Sequence, residues 1–237
     1  MLTKSTHTKL IILIDPDKYN PALIDIANKS QVSYIFFGGS SLKKNNFEKI
    51  LKAIKSKTTI PVIIFPGDEK QISKYADGLL MLSLLSGRNA EYLIGKHVNA
   101  ATKIKASKVP VIPTAYILID GGKASTTQKI TNTAPLHNKK EIINTAIAGE
   151  LLGKRLIYLE AGSGAKKTLT PSLIKEVKKQ TSLPLIIGGG IDSAKKAATI
   201  IKSKPDYIVV GNALERDPQF LNELSKLLSK KQSVKKS

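Results

Sequence analysis

Two acidic residues stand where short apolar runs give way to turns. Asp15 follows "KLIILI", and Glu160 closes "RLIYLE" just before Ala161-Gly162-Ser163-Gly164. Other apolar runs end in glycine as well: Gly38-Gly39 before Ser40, Gly188-Gly189-Gly190 after "LPLII", and Gly211-Asn212 after "DYIVV". A glycine turn has no Cβ to keep an anion away, so its backbone N–H groups can cradle phosphate. Ser163 adds a hydroxyl donor to one such turn. Glu160 would repel a phosphate, and its chemistry must differ. It can accept a hydrogen bond from a substrate hydroxyl and act as general base when that oxygen attacks. A salt bridge to a neighbouring lysine is the alternative. Asp15 and the Ser40 hydroxyl make a sparse Mg²⁺ site, of the kind that substrate phosphate oxygens and water complete. Asp17, two residues on, can instead cap a turn. His7, His97 and His137 share no spacing and support no zinc site.

The elements that must position these residues follow from periodicity. Eight β-branched runs recur: "KLIILI", "VSYIFF", "IPVIIF", "DGLLML", "VIPTAYILI", "RLIYL", "LPLII" and "DYIVV". Continuous apolar character suits parallel strands covered on both faces. The intervening segments, such as "NFEKILKAIKS" and "TPSLIKEVKKQ", repeat apolar positions at three and four, as helices do. Only "GDEKQISKYA", between the third and fourth runs, is too short for a full helix. Eight right-handed units close into a (β/α)₈ TIM barrel, modified by that shortened segment. An open doubly wound sheet is the competitor, but it calls for GxGxxG after the first strand, where this chain has "IDPDKYN". Residues 1–228 read as one domain, and 229–237 as a basic, frayed tail. The polar stretch from Gly121 to Lys140 reads as a lid or a solvated loop. In a barrel of this type the glycines after strands seven and eight are a common phosphate site, and active sites gather at the C-terminal strand ends.

Composition sets the boundaries. The 237 residues include 38 Lys and Arg against 18 Asp and Glu, a formal charge of +20. Nucleic acid is the obvious partner for such a charge. Yet arginine, favoured for bidentate base reading, appears only at Arg88, Arg155 and Arg216. The lysines fall on polar helix faces, so no nucleic-acid partner is expected, and general attraction for anions, including anionic lipid surfaces, is. Cysteine is absent, which removes disulfides and thiolate metal sites. With no long apolar stretch and no leader pattern, a cytoplasmic protein in peripheral contact with membranes is expected.

The ordered motifs "LIDPDK", "FFGGS", "LLSGRNAEYLIGKH", "YLEAGSGA", "IIGGGIDS" and "VVGNALE" resemble those of the geranylgeranylglyceryl phosphate synthases and their bacterial relatives, over nearly the whole chain. The resemblance implies a Mg-dependent phosphoglycerol geranylgeranyltransferase. Such an enzyme transfers a polyprenyl group from its diphosphate to the C3 hydroxyl of sn-glycerol 1-phosphate. On that reading Asp15 and Ser40 are the Mg²⁺ ligands. Tyr158, Leu159, Glu160, Ala161, Gly162, Ser163 and Gly164 form the glycerol phosphate site with Gly189, Gly190, Gly211 and Asn212. Glu160 grips the glycerol hydroxyls and takes the proton. Lys18 and Arg88 are candidates for the diphosphate, and the missing helix after the third strand leaves a groove for the prenyl tail. The resemblance also implies a homo-oligomer. Leu13 stands where some bacterial relatives carry a lysine, which points to the archaeal-type branch and away from heptaprenyl donors. No DDxxD box is present, which argues against a chain elongase. The alternative is another phosphate-binding barrel enzyme acting on a small sugar or triose phosphate.

Overall fold

The computed structural model describes residues 1–40, 42 and 46–233. Eight strands follow in chain order: β1 (Lys9–Ile14), β2 (Val32–Phe37), β3 (Val62–Ile64), β4 (Gly78–Leu84), β5 (Val111–Leu118), β6 (Leu156–Glu160), β7 (Leu185–Gly188) and β8 (Tyr207–Val210). Each pairs in parallel with the next, and β8 returns to β1 from Lys9↔Tyr207 to Ile12↔Val210. That last ladder closes the barrel and rules out the open sheet. Around it lie α1 (Pro21–Asn28), α2 (Phe47–Lys55), α3 (Lys96–Ser107), α4 (Thr126–Thr131), α5 (Lys139–Leu151), α6 (Pro171–Gln180), α7 (Ala194–Ile201), α8 (Asn212–Arg216) and α9 (Phe220–Ser233). Between β3 and β4 the described chain makes only turns, as the short "GDEKQISKYA" segment requires. One π-helical turn, Glu91–Gly95, leads into α3.

Side-chain alternation sorts each strand into an inner and an outer layer. Ile11, Phe36, Ile63, Leu80, Tyr158, Ile186 and Val209 fill the barrel. Ile12, Ile35, Ile64, Leu159, Ile187 and Ile208 pack outward under the helices. Because both faces are buried, the strands read as unbroken apolar runs rather than alternating ones. The same parity decides the site. Asp15 continues the inward series of Ile11 and Leu13, and Glu160 that of Leu156 and Tyr158, so both carboxylates come up at the mouth of the barrel.

The polar stretch 121–140 is neither a bare loop nor fully solvated. It carries α4, whose start is capped by Ser125 accepting from the Gln128 N–H at 3.1 Å. Ser125, Thr131 and Thr133 are buried. Ile119 pairs with Leu136, which fixes both ends of the excursion. At the other end of the chain, α9 runs on through Ser233, past residue 228. Residues 234–237 lie outside the described residues.

The N-terminal segment plugs the opposite end of the barrel. Leu2 is buried against the interior cluster, and Tyr207 Oη donates to Thr3 O at 2.8 Å. Asp206, 1% exposed, ties this plug to the sheet. Its carboxylate accepts from Ser5 N at 2.8 Å, from Leu185 N at 2.9 Å and from Lys178 Nζ at 3.1 Å. Removing it would strand the buried Leu185 N–H and take away the carboxylate that Ser5 N and Lys178 Nζ share. Asp206→Ala is therefore expected to lower unfolding stability by about 2–4 kcal/mol in urea titrations. A loss under about 0.5 kcal/mol, typical of surface positions, would show that the plug is not held this way.

Candidate active site

A cleft of about 450 Å³ opens at the C-terminal ends of the strands. It is lined by Asp15, Ser40, Tyr158, Glu160, Gly162, Ser163, Gly164, Gly189, Gly190, Gly211 and Asn212, residues far apart in sequence. Leu159 and Ala161 are placed differently. Their side chains sit in the outer hydrophobic layer, because strand alternation turns them away from the barrel axis. What they offer this site is backbone, as where Ala161 N donates to Gly188 O at 3.0 Å.

Glu160 stands at the centre, 7% exposed. It makes no ion pair among the described residues, so the salt-bridge alternative does not hold. Instead it accepts from Gly162 N at 2.7 Å and from the Tyr158 hydroxyl. Burial opposes its charge more strongly than these two donors support it. The result is a carboxyl pushed up to about 7. Glycine makes this packing possible. A Cβ on Gly188 would lie 2.4 Å from Tyr158 Oη and 2.5 Å from Glu160 Oε2, and one on Gly189 would lie 2.5 Å from Oε1. The "GGG" run thus seats the carboxyl as well as forming a turn.

The neighbouring wall is made by three loops. Ser163 Oγ donates to Asn212 Oδ1 at 3.1 Å, joining the loop after β6 to the start of α8. Helix α8 begins at Gly211 without a side-chain cap, and Gly211, Asn212 and Ala213 line the cleft. Gly189 and Gly190 have φ of +83° and +68°, the left-handed region that glycine accepts without strain.

Asp15 lies across the mouth. Its carboxylate accepts from Asp17 N at 2.9 Å and caps the turn there. Burial raises its pKa, while the Asp17 N–H and Lys18 pull it down. The carboxylate rests over Gly39, where a Cβ would stand 3.0 Å from Oδ1. Gly39 is held by Gln71, whose Nε2 donates to Gly39 O at 2.7 Å and whose Oε1 accepts from Gly39 N at 3.2 Å. One carboxylate beside one hydroxyl is a poor cage, and no cluster of three His, Cys, Asp or Glu side chains suited to a metal occurs among the described residues. That donor set fits Mg²⁺ brought in on phosphate oxygens, since Mg²⁺ retains waters and accepts substrate ligands.

Lys18 lines the cleft and pairs with Glu215 at 2.8 Å. Arg88 does not reach it: the guanidinium donates to Leu85 O and Gly87 O at 3.0 and 2.8 Å, holding its own turn. Lys123 and Arg216 do line the cleft, and sequence reading missed both. Position just beyond β5 and β8 was the only signal that could have found them.

A second cavity, of about 140 Å³, runs beside the first, lined by residues such as Ile72, Leu79, Met81, Ala100 and Ile104. It occupies the space left by the missing helix between β3 and β4. Gly39, Ser40, Phe65, Tyr116 and Thr127 line both cavities. Their shared wall also carries ring contacts, with Tyr116 5.3 Å from Tyr158 and Phe65 5.6 Å from it.

The raised Glu160 carboxyl has a measurable sign. With a folded value near 7 above the ordinary 4.5, folding favours the protonated form. The stability this contributes is full below the unfolded value and lost as pH rises through the folded one. Relative to Glu160→Gln, the wild type should therefore lose stability between about pH 4.5 and 7, read from urea midpoints. A pH-independent difference would place the carboxyl in a solvated setting. Gly188→Ala should displace Tyr158 and Glu160, cutting turnover at least tenfold with the barrel still folded by circular dichroism. Unchanged turnover would mean that the two side chains have room to spare.

Comparison with known proteins agrees with this geometry. The PcrB family model matches residues 3–228. The geranylgeranylglyceryl phosphate synthase of Chitinophaga pinensis is 47% identical over 220 residues, covering 90% of this chain and 87% of the relative. That of Pyrococcus furiosus is 37% identical over 209 residues, covering 86% and 83%. The crystal structure of (S)-3-O-geranylgeranylglyceryl phosphate synthase from Thermoplasma acidophilum, in complex with substrate sn-glycerol-1-phosphate, superposes with a TM-score of 0.89 at 30% identity, covering 95% of this chain and 94% of that one. With the match spanning barrel and strand-end motifs alike, the chain belongs to the PcrB family of prenyltransferase barrels, which has archaeal and bacterial members.

Proposed function

We propose that the protein joins a polyprenyl group, geranylgeranyl by preference, from its diphosphate to the C3 hydroxyl of sn-glycerol 1-phosphate. The observation that carries this reading is the junction of the two cavities. A polar cleft containing a buried carboxyl opens into an apolar groove across a wall of Gly39, Ser40, Phe65, Tyr116 and Thr127. A triose or sugar phosphate would need the cleft and leave the groove idle. A lipid diphosphate and a small phosphate together need both.

On this reading the glycerol phosphate anion sits among Ser163, Asn212, Gly189, Gly190 and the uncapped start of α8, where backbone N–H groups favour negative charge. Its hydroxyl then reaches Glu160, which Tyr158 and Gly162 hold in one orientation. The prenyl tail lies in the groove and its diphosphate near Asp15 and Ser40, with Lys18, Lys123 and Arg216 as nearby cations. Asp15 and Ser40 would hold Mg²⁺. When bound, that ion neutralises charge gathering on the departing diphosphate. The C–O bond to diphosphate breaks, the glycerol oxygen bonds to the allylic carbon, and Glu160 takes the hydroxyl proton. A carboxyl near 7 suits that task, because it is substantially ionised at neutral pH yet basic enough to accept a proton. Fixing the oxygen against the carbon adds the orientation term. No helix among the described residues is long and apolar enough to cross a membrane, and on this reading the protein meets its lipid donor by peripheral contact with a membrane surface. Its setting on this reading is the cytoplasm.

The test is a transfer assay with sn-glycerol 1-phosphate, Mg²⁺ and prenyl diphosphates from C15 to C35. Ether product is expected with a maximum near C20, and none across the series would overturn the reading. Glu160→Gln should lower kcat by about 10²–10⁴-fold while KM for glycerol phosphate stays within a few-fold. An equal loss in both would make Glu160 a structural residue. Asp15→Asn should raise the Mg²⁺ concentration needed for half-maximal rate, and an unchanged requirement would move the ion elsewhere.

A further inference from the structure

Glu215 is a carboxylate that the transfer reaction leaves without a task. It lines the cleft together with Asp15 and Lys18. A cleft that takes two anions gains nothing from a further negative charge, yet α8 places one there. The other cleft carboxylates have their uses. Glu160 sits where a hydroxyl must lose its proton, Asp15 where the Mg²⁺ would be held, and Asp192 pairs with Lys196 at 2.9 Å.

Topology decides what Glu215 touches. Strand β8 lies beside β1, so α8, which follows β8, stands next to the 3₁₀ turn Pro16–Lys18 that follows β1. Across that gap Lys18 Nζ donates to Glu215 Oε2 at 2.8 Å. This hydrogen bond is the main reason that the Lys18 ammonium holds its proton more firmly than usual. Burial chiefly raises the Asp15 carboxyl, and the charge of Glu215 adds to it, so the two carboxylates stand close enough to repel. The partners in the ion pair are unequal. The Lys18 side chain is 53% exposed and that of Glu215 only 19%, so the lysine, on its flexible stem, is the one able to move. A pair this open to solvent contributes little stability of its own. Its lysine end is readily exchanged for an anion of higher charge.

We infer that Glu215 is a positioning residue that competes with the diphosphate for Lys18. Before the donor arrives it keeps the ammonium beside Asp15. As the donor binds, Lys18 passes from the Glu215 carboxylate to the diphosphate oxygens. As pyrophosphate leaves, the ammonium returns to Glu215, and the carboxylate thereby loosens the hold on this product. Both side chains keep their charges throughout, and neither forms a covalent bond. That the anion is a diphosphate rests on the prenyltransferase reading.

The experiment is calorimetric titration of the full chain with inorganic pyrophosphate, once with Mg²⁺ and once with a chelator. Glu215→Gln is expected to tighten pyrophosphate binding about three- to tenfold, the scale of one like charge a few ångströms away in a wet cleft. Lys18→Met, at an exposed side chain, should weaken it. In the Lys18→Met background the gain from Glu215→Gln should shrink to less than about twofold, because the carboxylate acts through the ammonium. A gain undiminished there would make Glu215 a plain repelling charge and overturn the inference. Unchanged or weaker binding by Glu215→Gln would also overturn it, and a loss confined to the Mg²⁺ arm would make Glu215 a metal ligand. In the transfer assay, the same variant should be inhibited more strongly by added pyrophosphate, with KM for glycerol phosphate within about twofold of wild type. Equal changes in both would mean a general distortion of the cleft, against the inference. The titration needs no prenyl donor. If the wild type forms no ether product, the prenyltransferase reading falls while the titration still decides the role of Glu215. A wild type that does not bind pyrophosphate overturns this inference.

Discussion

The placement of one carboxyl inside the mouth of a hydrophobic barrel constrains everything around it. Glu160 occupies an inward position on β6, where every other inward residue is apolar or aromatic. A charge there is costly unless it is hydrogen-bonded, and its two donors do not fully offset burial. The structure absorbs the cost by letting the carboxyl hold its proton to about pH 7. The facing strand must then end in glycine, since any side chain at Gly188 or Gly189 would occupy the same volume. Tyr158, directly below, is fixed in turn by the rings of Phe36, Phe65 and Tyr116.

The second organising feature is a missing helix. A (β/α)₈ barrel normally covers each strand pair from outside, and here the chain from Phe65 to Asp77 only turns. Leu79 and Met81 on β4 line a groove there instead of packing under a helix. Gln71, from the same segment, clamps Gly39 by both amide atoms and so steadies the loop beside Asp15. Losing a helix thus opens apolar space at the place where the anion-binding loops are held.

Family membership and this geometry meet on the same residues. The family match runs over residues 3–228, and within that span the cleft gathers the turns at the C-terminal strand ends. The groove and the cleft meet at Tyr116 and Thr127, which join the barrel to the α4 excursion. That excursion is pinned by Ser125, by Leu136 pairing with Ile119, and by Tyr92 from the π-helical turn. A segment that reads as polar loop is part of the wall because its short side chains find backbone partners and become buried.

Strand number, their parallel order and the gap after β3 were legible in the sequence, because buried parallel strands are unbroken apolar runs and a segment too short for a helix is plain by length. Asp15, Glu160 and the glycine turns were legible as strand-end residues for the same reason. Parity was not applied to "YLEAGSG", so Leu159 and Ala161 were grouped with residues facing the other way. Arg88 looked available because sequence does not show that its own turn's carbonyls take it. Lys123 and Arg216 looked like any of many basic residues until the fold set them at the mouth. The raised carboxyl of Glu160, its choice of Tyr158 over a lysine, and the meeting of cleft and groove belong to tertiary structure alone. They depend on burial and on distances between strands remote in the chain, and neither quantity exists until the barrel closes.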